Sequence, residues 1–495
     1  MWRDWNGTSK NCFSKDDSVA ILVVDLDGTI LRGDMLLETF WSAFGRDWRV
    51  PVRAGAALLN GKAALKRYLA ENSEVDMQYL PYDQDVLAFV RRWRAAGGRA
   101  VLVTAADQSL ADAVSTHLGL FDGAYGSNGQ INLKSVKKAD FLEKTFGSFA
   151  YIGNASADIP VWRSAEKAIT VNASARLKRA AEEAAPSAEH LETCDPSPKP
   201  YLKALRPHQW LKNGLVFMPI LLSHQITQIT FLQSLLAFVA FSLIASSVYV
   251  FNDLLDLRAD RAHPRKRKRP FAAGTVPLAH GPWMLGMPLL AGLVIAAHLG
   301  GEFFLVILGY YALTVGYSVI LKRRMIVDIC ALAGLYTLRL IAGGAATGIE
   351  LSIWLMAFSI FLFFSLASVK RQAELVMTLK KNRPKVTYNS SDKIAGRGYQ
   401  TDDLPIISMM AIASGYLSVM VLALYLNSDA VQELYTQPVY LWGTCCVLLY
   451  WVSRNVMLAH RGHMHDDPVL YAVKDRISLI CGALILVFAM AGNLP

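Results

Sequence analysis

Two groups of carboxylates in this chain stand at spacings suited to chemistry. The first is Asp25-Leu26-Asp27-Gly28-Thr29, two acids separated by one residue and followed by a glycine. In such a pair Asp25 can attack a phosphoryl group or bind Mg²⁺, and Asp27 can shuttle the proton of a leaving group. The competing reading is a strand that ends in an ordinary turn. The second group is Asn252-Asp253-Leu254-Leu255-Asp256-Leu257-Arg258-Ala259-Asp260. On one continuous helix, turning about 100° per residue, Asn252, Asp253, Asp256 and Asp260 fall within an arc of roughly 100°. Three carboxylates on one face repel one another unless a cation lies among them. Oxygen ligands favour Mg²⁺, which bridges protein carboxylates and substrate phosphates. The plain alternative is a solvated acidic helix end. The run RAHPRKRKRPFAAGTV (261–276) follows directly. Part of its charge serves membrane topology, and the segment is well placed to grip phosphate oxygens.

The elements that must position these groups can be read from hydrophobic patterning. Residues 19–25 (VAILVVD) form a short β-branched run, as do 99–104, 149–152 and 168–171. Such runs read as buried parallel strands, and their alternation with helical stretches such as 84–96 argues for a parallel sheet wrapped by helices. Asp25 then sits at the carboxyl end of a strand, where such sheets place active sites. Thr104 ends the second strand and can hold a phosphate oxygen. Lys138 can neutralise nucleophile and phosphate together, with Lys137 as the adjacent alternative. Asp158 follows the third strand and can hold a metal directly or through water. Residues 35–80 read as a helical insertion, a candidate cap. The expected boundaries are an N-terminal extension (1–18), the sheet domain (19–180), a polar and Pro-rich linker (181–204) and a membrane part (205–495).

Composition supports that last division. Hydrophobic residues make up 53% and charged residues 18% of the 495. The long apolar runs lie almost entirely beyond residue 205. Nine segments are expected to cross a membrane: 213–224, 231–251, 281–299, 303–321, 325–345, 352–369, 405–426, 437–453 and 477–494. Most approach the roughly 20 residues that a crossing needs. Loops at 225–230, 300–302, 346–351 and 427–436 contain no Lys or Arg, whereas the alternating loops are rich in both. The positive-inside rule then puts the N-terminal domain in the cytoplasm and the C-terminus outside, in a cell membrane of the bacterial inner-membrane kind.

The net charge of +10 arises largely between apolar runs, which makes nucleic acid a poor candidate partner. The six cysteines (Cys12, Cys194, Cys330, Cys445, Cys446, Cys481) show neither metal-ligand spacing nor a disulfide framework. They read as small residues in a reducing compartment. The first twenty residues lack the apolar core of a signal peptide. His460, His463 and His465 read as a cytoplasmic loop feature.

Asp25-x-Asp27, Thr104, Lys138 and Gly153-Asn154-Ala155-Ser156-Ala157-Asp158, in that order, resemble the haloacid dehalogenase (HAD) superfamily across 19–175. The resemblance implies a Rossmann-like α/β domain with Asp25 as nucleophile and Asp27 as general acid/base. It also implies Thr104 and Lys138 as phosphate ligands, and Asp25 and Asp158 as Mg²⁺ ligands. One departure is Asn154, where the family usually has an acid; an amide brings no charge, so metal affinity should fall.

The apolar segments, NDxxDxxxD and the trailing basic segment resemble the UbiA superfamily of intramembrane prenyltransferases over essentially all of 200–495. This implies an all-α polytopic bundle of nine transmembrane helices. It also implies Mg²⁺-assisted departure of diphosphate, with Asn252, Asp253, Asp256 and Asp260 as the metal site. Aromatic-acceptor members carry a second Asp-rich motif. In the corresponding stretch, 316–344, Asp328 is the only acid; it lies among Tyr317, Lys322, Arg323, Arg324 and Arg339, with Lys370 and Arg371 beyond. Cations suit a substrate pair with several phosphates. LRPHQWLKN (205–213), YSVILKR (317–323), LRLIAGG (338–344) and SVKRQAEL (368–375) resemble the decaprenyl-phosphate phosphoribosyltransferase branch, although Gln372 stands where an aromatic residue is expected. That branch implies attack of a polyprenyl phosphate on phosphoribosyl diphosphate. The expected phosphate contacts are Lys212, Arg265, Lys266, Lys322 and Arg339, and the fused phosphatase would remove the 5-phosphate. The alternatives are an aromatic polyprenyltransferase of the hydroxybenzoate type, taking prenyl diphosphate, and a membrane anchor or transporter without catalysis.

Overall fold

The computed structural model describes residues 21–128, 132–194, 197–382, 398–464 and 467–493. The N-terminal extension and His465 lie outside them. The chain forms two compact units, Met1–Ala204 with Val250–Trp283, and Leu205–Tyr249 with Met284–Pro495.

The chain starts with β1 (Ile21–Val24) and the cap helices α1 (Met35–Arg46), α2 (Val50–Leu59) and α3 (Lys62–Asn72). Asp34 starts α1 by accepting from Leu36 N at 2.8 Å and Leu37 N at 3.3 Å, satisfying amides that have no partner within the helix. Next come α4 (Gln84–Ala95), β2 (Arg99–Asp107), α5 (Gln108–Leu118), β3 (Gly123–Ser127), α6 (Val136–Phe146) and β4 (Ala150–Gly153). Then follow α7 (Ile159–Ser164), β5 (Lys167–Val171), α8 (Ala175–Ala184), β6 (Ser187–Leu191) and α9 (Lys199–Leu205). The strands form one six-stranded parallel sheet in the order β3-β2-β1-β4-β5-β6. The two-residue period of β1 sends Leu22 and Val24 to one core face with Leu102 and Ile152, and Val23 to the other with Val101 and Tyr151.

The four expected strands are therefore present, and two more flank them. Both extra strands are edges with weak patterns: β3 reads GAYGS and β6 reads SAEHL. An edge strand needs fewer apolar side chains, so periodicity does not reveal it. β6 lies within the stretch expected as linker, so the sheet reaches Leu191. β2 also runs three residues past Thr104, which sits inside the strand rather than at its end.

Beyond α9 the chain is helical: a 3-10 helix Pro207–Phe217, α10 (Met218–Leu222), α11 (Gln228–Leu255), α12 (Leu257–Ala262), α13 (Gly281–Leu299), α14 (Gly301–Val319) and α15 (Val327–Thr347). The rest are α16 (Ile353–Asn382), α17 (Leu404–Leu426), α18 (Asp429–Leu434), α19 (Trp442–His460), α20 (Pro468–Lys474) and α21 (Arg476–Ala491). Among the described residues, seven helices are long and apolar enough to cross a membrane: α11, α13, α14, α15, α16, α17 and α19. The other two expected crossings differ. Segment 213–224 is the end of the 3-10 helix plus the five residues of α10, and 477–494 corresponds to the 16-residue α21. Pro207 and Pro219 favour short first turns over one long helix in the former.

The acidic segment packs with the N-terminal unit. Glu38 of the cap and Arg261 of α12 form a bidentate pair, with both N–O distances 2.7 Å, and both side chains are buried. Arg261 also donates to Ala272 O at 3.2 Å. Phe44 meets Phe251 with ring centroids 6.0 Å apart, and Arg258 pairs with Glu74. This packing requires Gly45, because a Cβ would stand 2.6 Å from Leu255 O. Removing one partner of a buried ion pair leaves the other uncompensated, at a cost of about 3–5 kcal/mol. Glu38→Ala is therefore expected to lower the melting temperature of the full-length protein in detergent by several degrees. Replacing both Glu38 and Arg261 with Met should recover most of that loss. Equal melting of the single and double variants would contradict this account.

Candidate active sites

In the sheet domain, β1 delivers Asp25 to its carboxyl end, where Asp25 N is held by Ile152 O at 3.0 Å. Lys138 of α6 donates to Asp25 Oδ1 at 2.8 Å, and both side chains are nearly buried. This identifies Lys138 as the partner of Asp25; Lys137 is exposed. Lys138 also donates to Tyr151 OH at 3.0 Å, and Tyr151 donates to Asp158 Oδ1 at 2.9 Å. Asp158 Oδ2 accepts from Asn154 N at 3.0 Å and Ala155 N at 2.9 Å. A buried chain of four groups thus fixes Asp25, just past β1, to Asp158, on the 3-10 turn Ser156–Asp158 that follows the neighbouring β4. Tyr151 escaped sequence reading because it looks like an ordinary residue of a core strand.

Asp27 points elsewhere and accepts from Met35 N at 2.7 Å, the first residue of the cap. Burial, with the charges of Asp34 and Asp25 adding to it, raises its carboxyl to about 7. A carboxylic acid with that affinity can hold a proton for a leaving oxygen near neutral pH. Burial and the charge of Asp25 also raise Asp158, to about 6. Gly28 turns the chain just after Asp27 with φ +72°, and a Cβ there would overlap the Asn154 side chain. Thr104 is fully buried and accepts from Ala106 N at 3.1 Å.

Asp25, Asp27, Lys138, Asn154 and Asp158 line one cavity of about 1170 Å³. Thr275, Pro277 and Leu278, from the stretch after the acidic segment, line the same cavity. Two carboxylates and an amide oxygen are hard donors, the kind that hold Mg²⁺ when substrate phosphate and water complete its shell. The donor set fits that ion.

The acidic segment departs from expectation. α11 ends at Leu255 and Asp256 stands between helices with φ −95° and ψ 13°, so the four residues do not share one unbroken helix face. Among the described residues, no three acids, histidines or cysteines gather as a metal group. Instead Arg269 donates to Asp253 Oδ1 at 3.2 Å and to Asp260 Oδ2, and both acids are buried. Asn252 and Asp256 are half-buried. Among the described residues, Asp260 Oδ1 is buried without a hydrogen bond, and Lys266 Nζ approaches it to 4.0 Å. Burial raises the Asp260 carboxyl above its ordinary value. An orphaned carboxylate oxygen is what a bound cation would satisfy, so Asp253 and Asp260 still fit Mg²⁺ as a pair. Arg269 was hidden among the other cations of its run; Arg265 and Lys266 themselves are exposed.

The remaining expected phosphate contacts lie in the second unit. Lys212, on the 3-10 helix, binds Asp467 Oδ2 at 2.9 Å, and Lys370 of α16 binds the same oxygen at 3.0 Å. Burial pushes the Lys212 ammonium down to about 8, while the two lysines hold Asp467 far below the usual carboxylate range against its own desolvation. Tyr336 OH donates to Asp467 Oδ1 at 2.8 Å. Arg339 is buried and donates to Asn213 Oδ1 at 2.9 Å and Tyr310 OH at 3.3 Å. Asp467 was not anticipated; the only signal was an acid pair beside a proline in a loop.

Lys322 is half-buried on the 3-10 helix Leu321–Arg323. Asp328 serves structure: Arg371 Nε donates to it at 2.5 Å, and Arg371 also reaches Tyr317 OH at 2.9 Å and Glu374. Lys370 and Arg371, adjacent in sequence, thus have separate partners.

A family model described as "UbiA prenyltransferase family" matches residues 215–473, and one described as "haloacid dehalogenase-like hydrolase" matches 22–163. The "Uncharacterized protein y4nM" of Sinorhizobium fredii is 38% identical over 491 residues, 97% of this chain and 92% of that protein. "Nodulation protein NoeC" of Azorhizobium caulinodans is 38% identical over 294 residues, 59% of this chain and 93% of that protein. "Decaprenyl-phosphate phosphoribosyltransferase" of Mycobacterium tuberculosis is 42% identical over 182 residues, 35% of this chain and 59% of that protein.

If Asp25 is the attacking group, Asp25→Asn should lower hydrolysis of p-nitrophenyl phosphate by the full-length protein at least about a hundredfold. Gly28→Val should fall similarly by displacing Asn154 and straining the turn. Lys137→Met should stay near wild type. Comparable losses in Lys137→Met and Lys138→Met would refute the assignment.

Proposed function

The chain belongs to the UbiA prenyltransferase family and carries a HAD-like hydrolase domain ahead of its multi-pass membrane part. From this premise we propose that the membrane part transfers a 5-phosphoribosyl group from phosphoribosyl diphosphate to a polyprenyl phosphate. The observation that supports this reading most is the 42% identity to a decaprenyl-phosphate phosphoribosyltransferase. It is strengthened by the pairing of Asp328 with Arg371, which removes the acid that a second metal motif would need.

In the proposed transfer, an oxygen of the lipid phosphate bonds to the anomeric carbon as the carbon–oxygen bond to diphosphate breaks. The diphosphate leaves with the electron pair. Asp253 and Asp260, with Asn252 and Asp256 at the rim, would hold Mg²⁺, which when bound offsets charge on the departing diphosphate. Arg269 keeps the two acids together, and Arg265 and Lys266 supply further cationic contacts for phosphate oxygens.

The HAD-like domain is proposed to remove the 5-phosphate from the product. Asp25 attacks the phosphorus, Asp27 protonates the departing ribose oxygen, and water then releases phosphate from Asp25. Lys138 and Thr104 hold phosphate oxygens meanwhile. The shared cavity wall supports this sequence, since Thr275, Pro277 and Leu278 line the cavity that holds Asp25. For topology we propose nine crossings, in which α10 with the end of the 3-10 helix and α21 complete the seven long helices. The HAD-like domain then faces the cytoplasm of a bacterial cell and the C-terminus lies outside.

Mass spectrometry of lipids from membranes supplied with phosphoribosyl diphosphate and polyprenyl phosphate tests both steps. Wild type should yield ribosylated lipid without the 5-phosphate, and Asp25→Asn should accumulate the phosphorylated form. Asp253→Asn and Asp260→Asn should each lose at least about tenfold in transfer. Turnover only with prenyl diphosphate and hydroxybenzoate would establish the aromatic reading instead. Equal phosphate content in wild type and Asp25→Asn would remove the coupling.

A further inference from the structure

The cap carries a helix that is apolar on two opposite faces. α2 reads VPVRAGAALL, with Arg53 its only charged residue. At about 100° per residue, the buried Val50 and Ala54 and the half-buried Ala57 share one face. That face packs with Ala43 of α1 and Leu69 of α3. The opposite face holds Val52, Gly55, Ala56 and Leu59, at the spacing i, i+3, i+4, i+7, and all four are exposed. Val52 is 76% and Leu59 89% exposed, and Trp48, just before the helix, is 58% exposed. A helix on the surface of a water-facing domain keeps its outer face polar, so this one is built for an apolar partner. Substrate does not account for it. Leu58, at the edge of the face, lines a cavity of about 290 Å³ that contains Asp27, but Trp48, Val52 and Leu59 do not.

Two observations say what covers this face. The first is where the cap is held. Phe44 and Gly45 of α1 pack on Phe251 and Leu255, in the last turns of α11, a helix long and apolar enough to cross a membrane. α2 starts five residues after Gly45, so its outer face stays close to the end of that helix. The second is charge. Residues 46–62 contain four cations, Arg46, Arg49, Arg53 and Lys62, against one acid, Asp47. All four cations are exposed, and Arg49 and Arg53 lie on one flank of the apolar face. Arg46 pairs with Glu74 and Arg53 with Asp47, whereas among the described residues no carboxylate pairs with Arg49 or Lys62. Arg49 lies over the Trp48 ring, 5.5 Å from its centroid. Apolar side chains bounded by a tryptophan and basic groups characterise a helix that lies in the interface of an anionic bilayer. A second copy of the chain meeting this face would bring the same four cations, which repel their equivalents.

We propose that α2 of the cap lies in the interfacial layer of the bilayer that the membrane part crosses. Val52, Ala56 and Leu59 enter among the upper acyl chains, Trp48 sits at headgroup level, and Arg49 and Lys62 meet anionic headgroups. Because Leu58 joins this face to the cavity containing Asp27, the docked cap holds that cavity beside the lipid surface. There it can meet a phosphate carried on a lipid, a consequence that rests on the phosphatase reading given above. The docking itself rests only on the multi-pass membrane part.

The test uses the full-length protein in nanodiscs of phosphatidylcholine and phosphatidylglycerol. With the native cysteines replaced by alanine, a single Leu59→Cys or Lys144→Cys carries a fluorescent label; Lys144 is exposed on α6. A lipid bearing a nitroxide on its acyl chain should quench the label at 59 at least about threefold more than the label at 144, and iodide in the water should show the reverse order. Adding Val52→Glu should remove most of the lipid quenching at 59 while the protein melts as before. A second measurement leaves the cysteines in place. The tryptophan emission lost in Trp48→Phe, read as a difference from wild type in ordinary discs, should vanish in discs of brominated lipid. Equal quenching of the two labels by the nitroxide lipid, or a Trp48 emission that brominated lipid leaves unchanged, overturns the proposal. A label at 59 shielded from iodide yet untouched by the nitroxide lipid also overturns it, and points to a protein partner. Quenching needs no turnover, so a docked helix in a protein that hydrolyses no phosphate ester would refute the phosphatase reading and leave the docking intact.

Discussion

A charge taken out of water must find an opposite charge or a set of hydrogen bonds, and this constraint sorts the polar interior of the chain. Some buried charges are fully closed. Glu38 and Arg261 meet through two bonds of 2.7 Å, and Arg371 is closed off by Asp328, Glu374 and Tyr317. Closed pairs hold elements together and offer a ligand nothing. Others are left open. Among the described residues, Asp260 keeps a buried oxygen without a hydrogen bond, and Arg339 keeps a positive charge met only by neutral groups. The open ones are where chemistry can enter.

The closed Glu38–Arg261 pair has a further consequence. Arg261 lies one residue after Asp260 on α12, and Glu38 lies one turn into the first cap helix. The helix that presents Asp260 is therefore held by the phosphatase-like part of the chain, not only by its own continuation from α11. Gly45 and Gly274 repeat the point in steric terms, since a side chain at either would strike the neighbouring segment. The same packing carries Thr275, Pro277 and Leu278 into the wall of the Asp25 cavity. The two sets of acids, more than two hundred residues apart in sequence, thus belong to one compact unit.

Much of this was legible in the residues themselves. The β-branched run of β1, the Asp25-x-Asp27 pair and the later Lys138 and Asp158 report a parallel sheet with an acidic edge, because each needs one local pattern only. Edge strands β3 and β6 were not legible, since GAYGS and SAEHL carry no alternation that a half-covered strand would require. The acidic segment was legible as a motif and illegible as geometry: helical spacing assumes an unbroken helix, and Asp256 interrupts it. Arg269 and Asp467 were illegible for a different reason. Their roles depend on partners 9 to 16 and 97 to 255 residues away respectively, and such pairings leave no mark in spacing.

The open charges also differ in sign, and that difference bears on the reaction. At the acidic segment two carboxylates share one guanidinium, and among the described residues Asp260 Oδ1 has no hydrogen bond, an arrangement that suits a metal cation. Around Asp467 the surplus is positive and suits an anion. A transfer that breaks a bond to diphosphate and makes one to a phosphate must handle two anionic groups that repel each other. An anion can be held through a cation bound to acids or directly by lysine and arginine, and each region by itself is suited to one of these. A hydroxybenzoate acceptor brings a single carboxylate charge to that surplus, whereas a phosphate ester brings up to two. On electrostatic grounds, then, the region around Asp467 is suited to an anionic ligand.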